Sequence, residues 1–274
     1  MSLFASLAIV SIANGAFLYF EEFREGQWGL AKSIDDQYFQ TGQQFAFSKT
    51  GEIAFVDSRG KVFKKSSGVT KQIMSLPGVC ANPGWAPSGQ QLVVACFTFN
   101  NRQEDSALWL HDFETNHSTM LYDAPGLQNQ PSWSPDGNFI AFVSGVRVET
   151  ERVIERIWMY EMSSGAAHEV LGFSDQMLNP AWSPDGSMLA FSAAGSDGLD
   201  IWIYKLKQKS LERITEHIAY DDAPAWHPDG VSITFQSTRS GEMELWSVDV
   251  AQPRAATRVS SEIRQARSPI WNLQ

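Results

Sequence analysis

The chain has 274 residues, with 31 acidic against 21 basic side chains, a formal net charge of −10 and an isoelectric point near 5.0. A nucleic-acid binder would carry a basic face, so that class is excluded as an expectation. No apolar run reaches the roughly 20 residues a membrane-spanning helix needs, so no membrane span is expected.

In chain order, residues 3–10 are apolar, and Ala13, Asn14 and Gly15 are small residues at a cleavage-like spacing. A secretory leader would also begin with positive charge, and the first cation is Arg24, which argues against one. Read as strands instead, 7–11, 16–21 and 28–31 are the second, third and fourth strands of a sheet that lacks its first. A fuller unit follows. Residues 45–48 and 53–57 flank a Thr50-Gly51 turn, with 62–63 and 72–74 behind them.

One phrase then echoes along the chain. It reads Pro83-Gly84-Trp85-Ala86-Pro87-Ser88-Gly89, Pro131-Ser132-Trp133-Ser134-Pro135-Asp136-Gly137, Pro180-Ala181-Trp182-Ser183-Pro184-Asp185-Gly186 and Pro224-Ala225-Trp226-His227-Pro228-Asp229-Gly230. A clipped copy, Pro269-Ile270-Trp271-Asn272, lies near the C-terminus. A strand-rich repeat of about 45 residues specifies a β-propeller. Each copy reads as four strands, A (innermost) to D. The phrase is strand A plus a turn in which Pro presets φ, Asp bonds its own backbone and Gly takes positive φ. Strand B, such as 139–143, is apolar without alternation, as a sheet covered on both faces requires. The expected fold is an all-β, six-bladed propeller of four-stranded antiparallel blades in one domain, 1–274. Its sixth blade is composite, 4–31 plus 268–274, with residues 1–3 outside it, and closes the ring.

The repeat tryptophans and Pro-Asp-Gly aspartates are read as wedges and turns, with no chemistry assigned. The D–A and B–C loops of a propeller share one face, and the residues just before each strand A ring the channel mouth there. These are Asn82, Asn129, Gln130, Asn179, Asp221, Asp222 and Arg267. Such a set suits a peptide, a sugar or a hydrated cation, or lines a water-filled funnel. Asp221 and Asp222 are the candidate oxygen ligands for Ca²⁺. Two B–C loops are long, 98–105 and 145–156. The second carries Arg147 and Arg152 and is either a recognition loop or an extension of its hairpin. His111, His117, His168, His217 and His227 show no zinc-ligand spacing. Cys80 and Cys96 fall opposite one another across the A–B hairpin. They form either a disulfide, which implies an oxidising compartment, or two buried thiols in a reducing one.

The Pro-x-Trp-Ser-Pro-Asp-Gly phrase with its following apolar strand resembles the repeat of TolB-like six-bladed propellers, over nearly the whole chain. The extra N-terminal domain of TolB has no room here. The hydrolase domain of prolyl-oligopeptidase-type relatives and its Gly-x-Ser-x-Gly elbow are absent too. The resemblance implies a non-catalytic, monomeric, bacterial periplasmic protein. It would bind a protein, a peptide or a small polar ligand at the D–A/B–C face, with no cofactor. The alternatives are a lyase or hydrolase working in the channel, a propeller cut from a larger protein, and a cytoplasmic location.

Overall fold

The computed structural model describes residues 16–24, 27–32, 38–76, 78–100, 103–148, 152–195, 197–259 and 265–273. They form six four-stranded antiparallel sheets, the blades of a propeller. Blade 1 is Gln43–Phe47, Ile53–Val56, Val62–Ser66 and Val69–Gln72. Blade 2 is Val79–Trp85, Gln91–Asn100, Gln103–Asp112 and His117–Tyr122. Blade 3 is Leu127–Trp133, Phe139–Arg147, Val153–Glu161 and Ala167–Leu171. Blade 4 is Met177–Trp182, Met188–Ala194, Leu199–Lys205 and Ser210–Arg213. Blade 5 is Asp221–Trp226, Ser232–Ser237, Glu244–Asp249 and Thr257–Arg258.

Blade 6 joins the two ends of the chain. Its strand A is Ala266–Leu273, followed by Ala16–Arg24, Gln27–Lys32 and Tyr38–Thr41. The composite closure expected from sequence is present, but the strand roles differ. Residues 16–21 pair directly with the C-terminal strand, Leu18 opposite Trp271 and Tyr19 opposite Ile270, so they belong to strand B rather than C. Residues 27–32 are strand C, and 38–41, which the sequence reading left out, are strand D. The segment 7–11 lies outside the described residues. Three apolar segments of similar length compete for the same roles, and only pairing ranks them.

The core is distributed round the ring. Each gap between adjacent blades holds one apolar cluster among the described residues. Between blades 4 and 5, for example, Ala190, Ile201 and Ile203 meet Trp226, Ile233 and Phe235. The last gap is filled by Tyr19 and Leu30 against Phe45 and Phe55. This two-sided burial is why the second strands carry apolar residues on both faces: Leu92, Val93, Val94 and Ala95 are all fully buried.

Both long B–C loops continue their hairpins. Val146 faces Ile154 and Arg147 faces Val153 in blade 3, and Thr98 faces Asp105 in blade 2. Cys80 lies opposite Cys96 in the A–B ladder of blade 2, and their sulfurs are bonded.

Candidate functional site

Strand A skips register at one place in each of the six blades, as between Ala81 and Gly84 or between Asp222 and Ala225. A β-bulge leaves one residue unpaired and turns the chain. That residue adopts the left-handed conformation in every blade: Gln44, Asn82, Gln130, Asn179, Ala223 and Ser268 all have φ between 49° and 54°. In blades 2 to 6 the next residue is the proline of the repeat phrase. It has no N–H to leave unsatisfied at the skip. A non-glycine residue in this conformation costs about 1–2 kcal/mol, so its surroundings must hold it there.

The holding groups are side-chain oxygens, mostly from the blade before. Gln44 Oε1 accepts the Asn82 N–H at 2.9 Å and Gln130 Oε1 accepts the Asn179 N–H at 2.8 Å. Gln236 Oε1 accepts the Ser268 N–H at 2.9 Å, and Glu21 Oε1 accepts the Gln44 N–H. Asn129 Oδ1 accepts the N–H of its own neighbour Gln130. The tryptophans stitch the same wall one step outward. Trp85, Trp182 and Trp226 donate their indole N–H to the carbonyls of Ala46, Ser132 and Ala181 in the preceding blades, at 3.1–3.2 Å.

This wall encloses a cavity of about 820 Å³ on the propeller axis. Its lining runs from the six left-handed residues down strand A to the A–B turns, reaching Lys49, Pro135, Pro184 and Pro228. The expected mouth was on the opposite, D–A/B–C face. No D–A or B–C loop residue lines the cavity among the described residues.

The residues singled out from sequence divide accordingly. Asn82, Gln130 and Asn179 line the cavity. Asn129, Asp222 and Arg267 stand one position earlier on their strands and are held by neighbours. Asp221 stands two positions earlier. Asp221 and Asp222 project to opposite faces, as successive strand residues do. Asp221 is fully buried, accepting Ser237 Oγ at 2.6 Å and Arg239 at 2.5 Å, and burial raises its carboxyl above the ordinary 3.8. Asp222 accepts Asn179 Nδ2, Ser192 Oγ, Tyr220 OH and Gln236 Nε2. The two carboxylates therefore do not converge on one ion. Arg147 and Arg152 sit on the blade 3 hairpin, where Arg152 pairs with Asp175. No group of three or more His, Cys, Asp or Glu is placed to hold a metal among the described residues.

Sequence reasoning missed Gln44, Ala223 and Ser268. The available signal was the position before the repeat proline, which gives Ala223 and Ser268 at once. Gln44 escapes that rule because Phe45 replaces the proline. Glu21 was missed too. It is fully buried and takes the guanidinium of Arg267 at 2.9–3.0 Å, while Arg267 stacks 3.6 Å over Trp28. Burial raises the Glu21 carboxyl above 4.5, against the pull of Arg267 and of two backbone N–H groups. Among the described residues, the ionisable side chains lining the cavity are Glu21 and Lys49.

The fold is similar to TolB from Acinetobacter baumannii, with a TM-score of 0.74 and 16% identity, covering 94% of this chain and 66% of that one. It is also similar to a chain of a nidogen/laminin complex (TM-score 0.70, 11% identity, 94% of this chain and 99% of that one). An oligogalacturonate lyase in complex with manganese matches with a TM-score of 0.65 and 14% identity, over 90% of this chain and 74% of that one. The chain thus spans just under two thirds of the A. baumannii TolB chain, and at these identities the likeness is one of fold. Residues 146–274 match the TolB beta propeller domain family model. With the same blade repeated through the rest of the ring, the chain as a whole has the fold of a six-bladed β-propeller, similar to that of TolB.

Proposed function

We propose that this propeller is a non-catalytic binding protein that takes a protein segment in its axial cavity. The observation that carries this reading is the cavity wall itself. Amide side chains, prolines and indole faces line a preformed concavity, which suits recognition of a peptide. Acid–base or nucleophilic catalysis needs convergent titratable groups. Here Glu21 is occupied by Arg267 and backbone N–H groups, and Lys49 stands at the lip. The likeness to TolB and to a protein captured in a complex supports a binding role. A periplasmic location, the D–A/B–C rim as a second contact area and a monomeric state belong to the same reading. The Cys80–Cys96 bond is its support for an oxidising compartment.

The test narrows the channel without changing the backbone. Glutamine already occupies the left-handed position in blades 1 and 3, so Ala223→Gln with Ser268→Gln is accommodated by the same geometry. Capture of partners from a periplasmic extract should fall in the double variant while the melting temperature stays put. Undiminished capture would move the site to the outer rim, and turnover of an oligosaccharide or peptide would replace this reading with an enzymatic one.

A further inference from the structure

We infer that the cavity selects an acidic peptide segment, recognised by side-chain amide donors on blades 1 and 3 and drawn in by the basic surface of blade 1. The inference rests on the channel-binding reading above and names the chemistry of its ligand.

The first observation concerns which way the glutamine amides point. Gln44 and Gln130 each accept a backbone N–H, from Asn82 and Asn179. Only the oxygen of an amide accepts, so Oε1 is fixed at that contact and Nε2 is the end left for the cavity. Gln44 and Gln130 therefore act as donors toward a ligand. Asn82 lies between them on the ring and also lines the cavity. Asn179 gives its Nδ2 to Asp222 at 2.8 Å, which leaves its Oδ1 for a donor such as a peptide N–H. On blades 5 and 6 the equivalent residues are Ala223 and Ser268, short side chains that leave room for the passing chain. The wall is thus lopsided: acceptor-seeking on one arc and spacious on the other.

The second observation is independent of the first. Blade 1 carries a net charge of +4 in a chain of −10: Lys49, Lys64, Lys65 and Lys71 stand against Glu52 on the strands and the A–B turn, while Arg59 and Lys61 stand with Asp57 on the B–C turn of the opposite face, where Arg59 pairs with Asp57. Lys64 lies directly opposite Lys71 across the two outer strands. Like charges so placed are unfavourable for the sheet, and Lys64 is offset by Glu52 at 3.0 Å. An edge lysine guards against aggregation in any sheet. That does not explain a blade whose sign opposes the whole molecule, nor why Lys49 from the same blade reaches the cavity lip. The carboxylate facing the cavity, Glu21, is paired with Arg267, and among the described residues the other charged side chain on the lining is the ammonium of Lys49. A carboxylate-bearing segment meets a positive approach and then donor amides, which is the electrostatic pattern that steers an anionic partner.

The experiment measures fluorescence anisotropy of three labelled eight-residue peptides on the full chain: alternating Glu-Gly, Gln-Gly and Lys-Gly. The Glu peptide should bind about tenfold more tightly than the Gln peptide, with the advantage shrinking as salt rises. Gln44→Glu with Gln130→Glu keeps each capping oxygen and turns each donor into a carboxylate. It should abolish the preference for the Glu peptide and admit the Lys peptide, at an unchanged melting temperature. Lys49→Glu supplies a second arm should that pair fail to fold, and should weaken the Glu peptide alone. Equal binding of the Glu and Gln peptides, both weakened by Ala223→Gln/Ser268→Gln, would overturn the acidic selectivity and leave the channel reading intact. Peptide binding indifferent to that narrowing would sink the channel reading itself. Sedimentation with phosphatidylglycerol vesicles, in the absence of Glu-peptide binding, would reassign the blade 1 lysines to a membrane surface.

Discussion

The repeat tryptophan shows how one residue does two jobs. Its ring fills the gap between blades and its N–H closes a hydrogen bond to the blade before, a combination open to an aromatic residue with a polar handle. The repeats are not equal in this. Trp182 donates to Ser132 O at 3.1 Å, whereas the buried indole nitrogen of Trp133 has no partner among the described residues. Trp182→Phe should therefore cost about 1 kcal/mol more than Trp133→Phe, the net worth of one hydrogen bond. Urea denaturation of the two variants checks this, and equal losses would contradict it. Residue-level reasoning also corrects an expectation. Asp221 was a candidate binding residue at the mouth, but it is fully buried against Arg239. Its replacement would strand a guanidinium rather than probe a ligand.

At the scale of the element, the turn and the bulge bracket each inner strand. In the turn, Ser183 Oγ donates to Asp185 Oδ1 at 2.6 Å and accepts the Met188 N–H at 2.9 Å, and Ser134 with Asp136 repeats the arrangement. The serine hydroxyl and nearby N–H groups hold both aspartates below the ordinary 3.8. A carboxyl whose pKa is lower folded than unfolded adds stability above the unfolded value, and that stability is lost as pH falls through the folded one. Asp185→Asn should accordingly lower stability at neutral pH and flatten its decline below about pH 4, read from melting temperatures across that range. Buried Glu21 and Asp221 have the opposite sign, since burial raises their pKa values and favours the protonated protein. The bulge was only half legible. The proline after it is plain in the sequence, but nothing local dictates that Ala223 sits at φ 51°. Alanine seldom takes that conformation, and a following proline favours extended backbone instead, so it is the ladder on either side that holds it there.

For the whole molecule, closure is the decisive event. The two ends meet in blade 6 with Glu21 opposite Arg267, and Glu21 is part of the channel wall. Removing one partner of a buried ion pair leaves an uncompensated charge, at a cost of about 3–5 kcal/mol. Arg267→Ala should be destabilised by that order, and Glu21→Gln added to it should restore part of the loss, a double-mutant cycle readable by calorimetry. No recovery would mean that Arg267 acts through its stacking on Trp28 rather than through charge.

The sequence by itself determined the blade count, the phase of the repeat, the turn chemistry, the cross-strand placing of Cys80 near Cys96 and the joining of the two ends. All of these are encoded by short-range patterns: turn residues at fixed offsets, apolar runs and their spacing. Only the tertiary structure decided which N-terminal segment lies beside Trp271, which face the cavity opens on and which polar side chains reach it. The reason is that a bulge of one residue rotates every side chain after it. Asn129 and Gln130, or Asp222 and Ala223, are neighbours in the chain, yet one is spent on holding the wall and the other looks into the cavity.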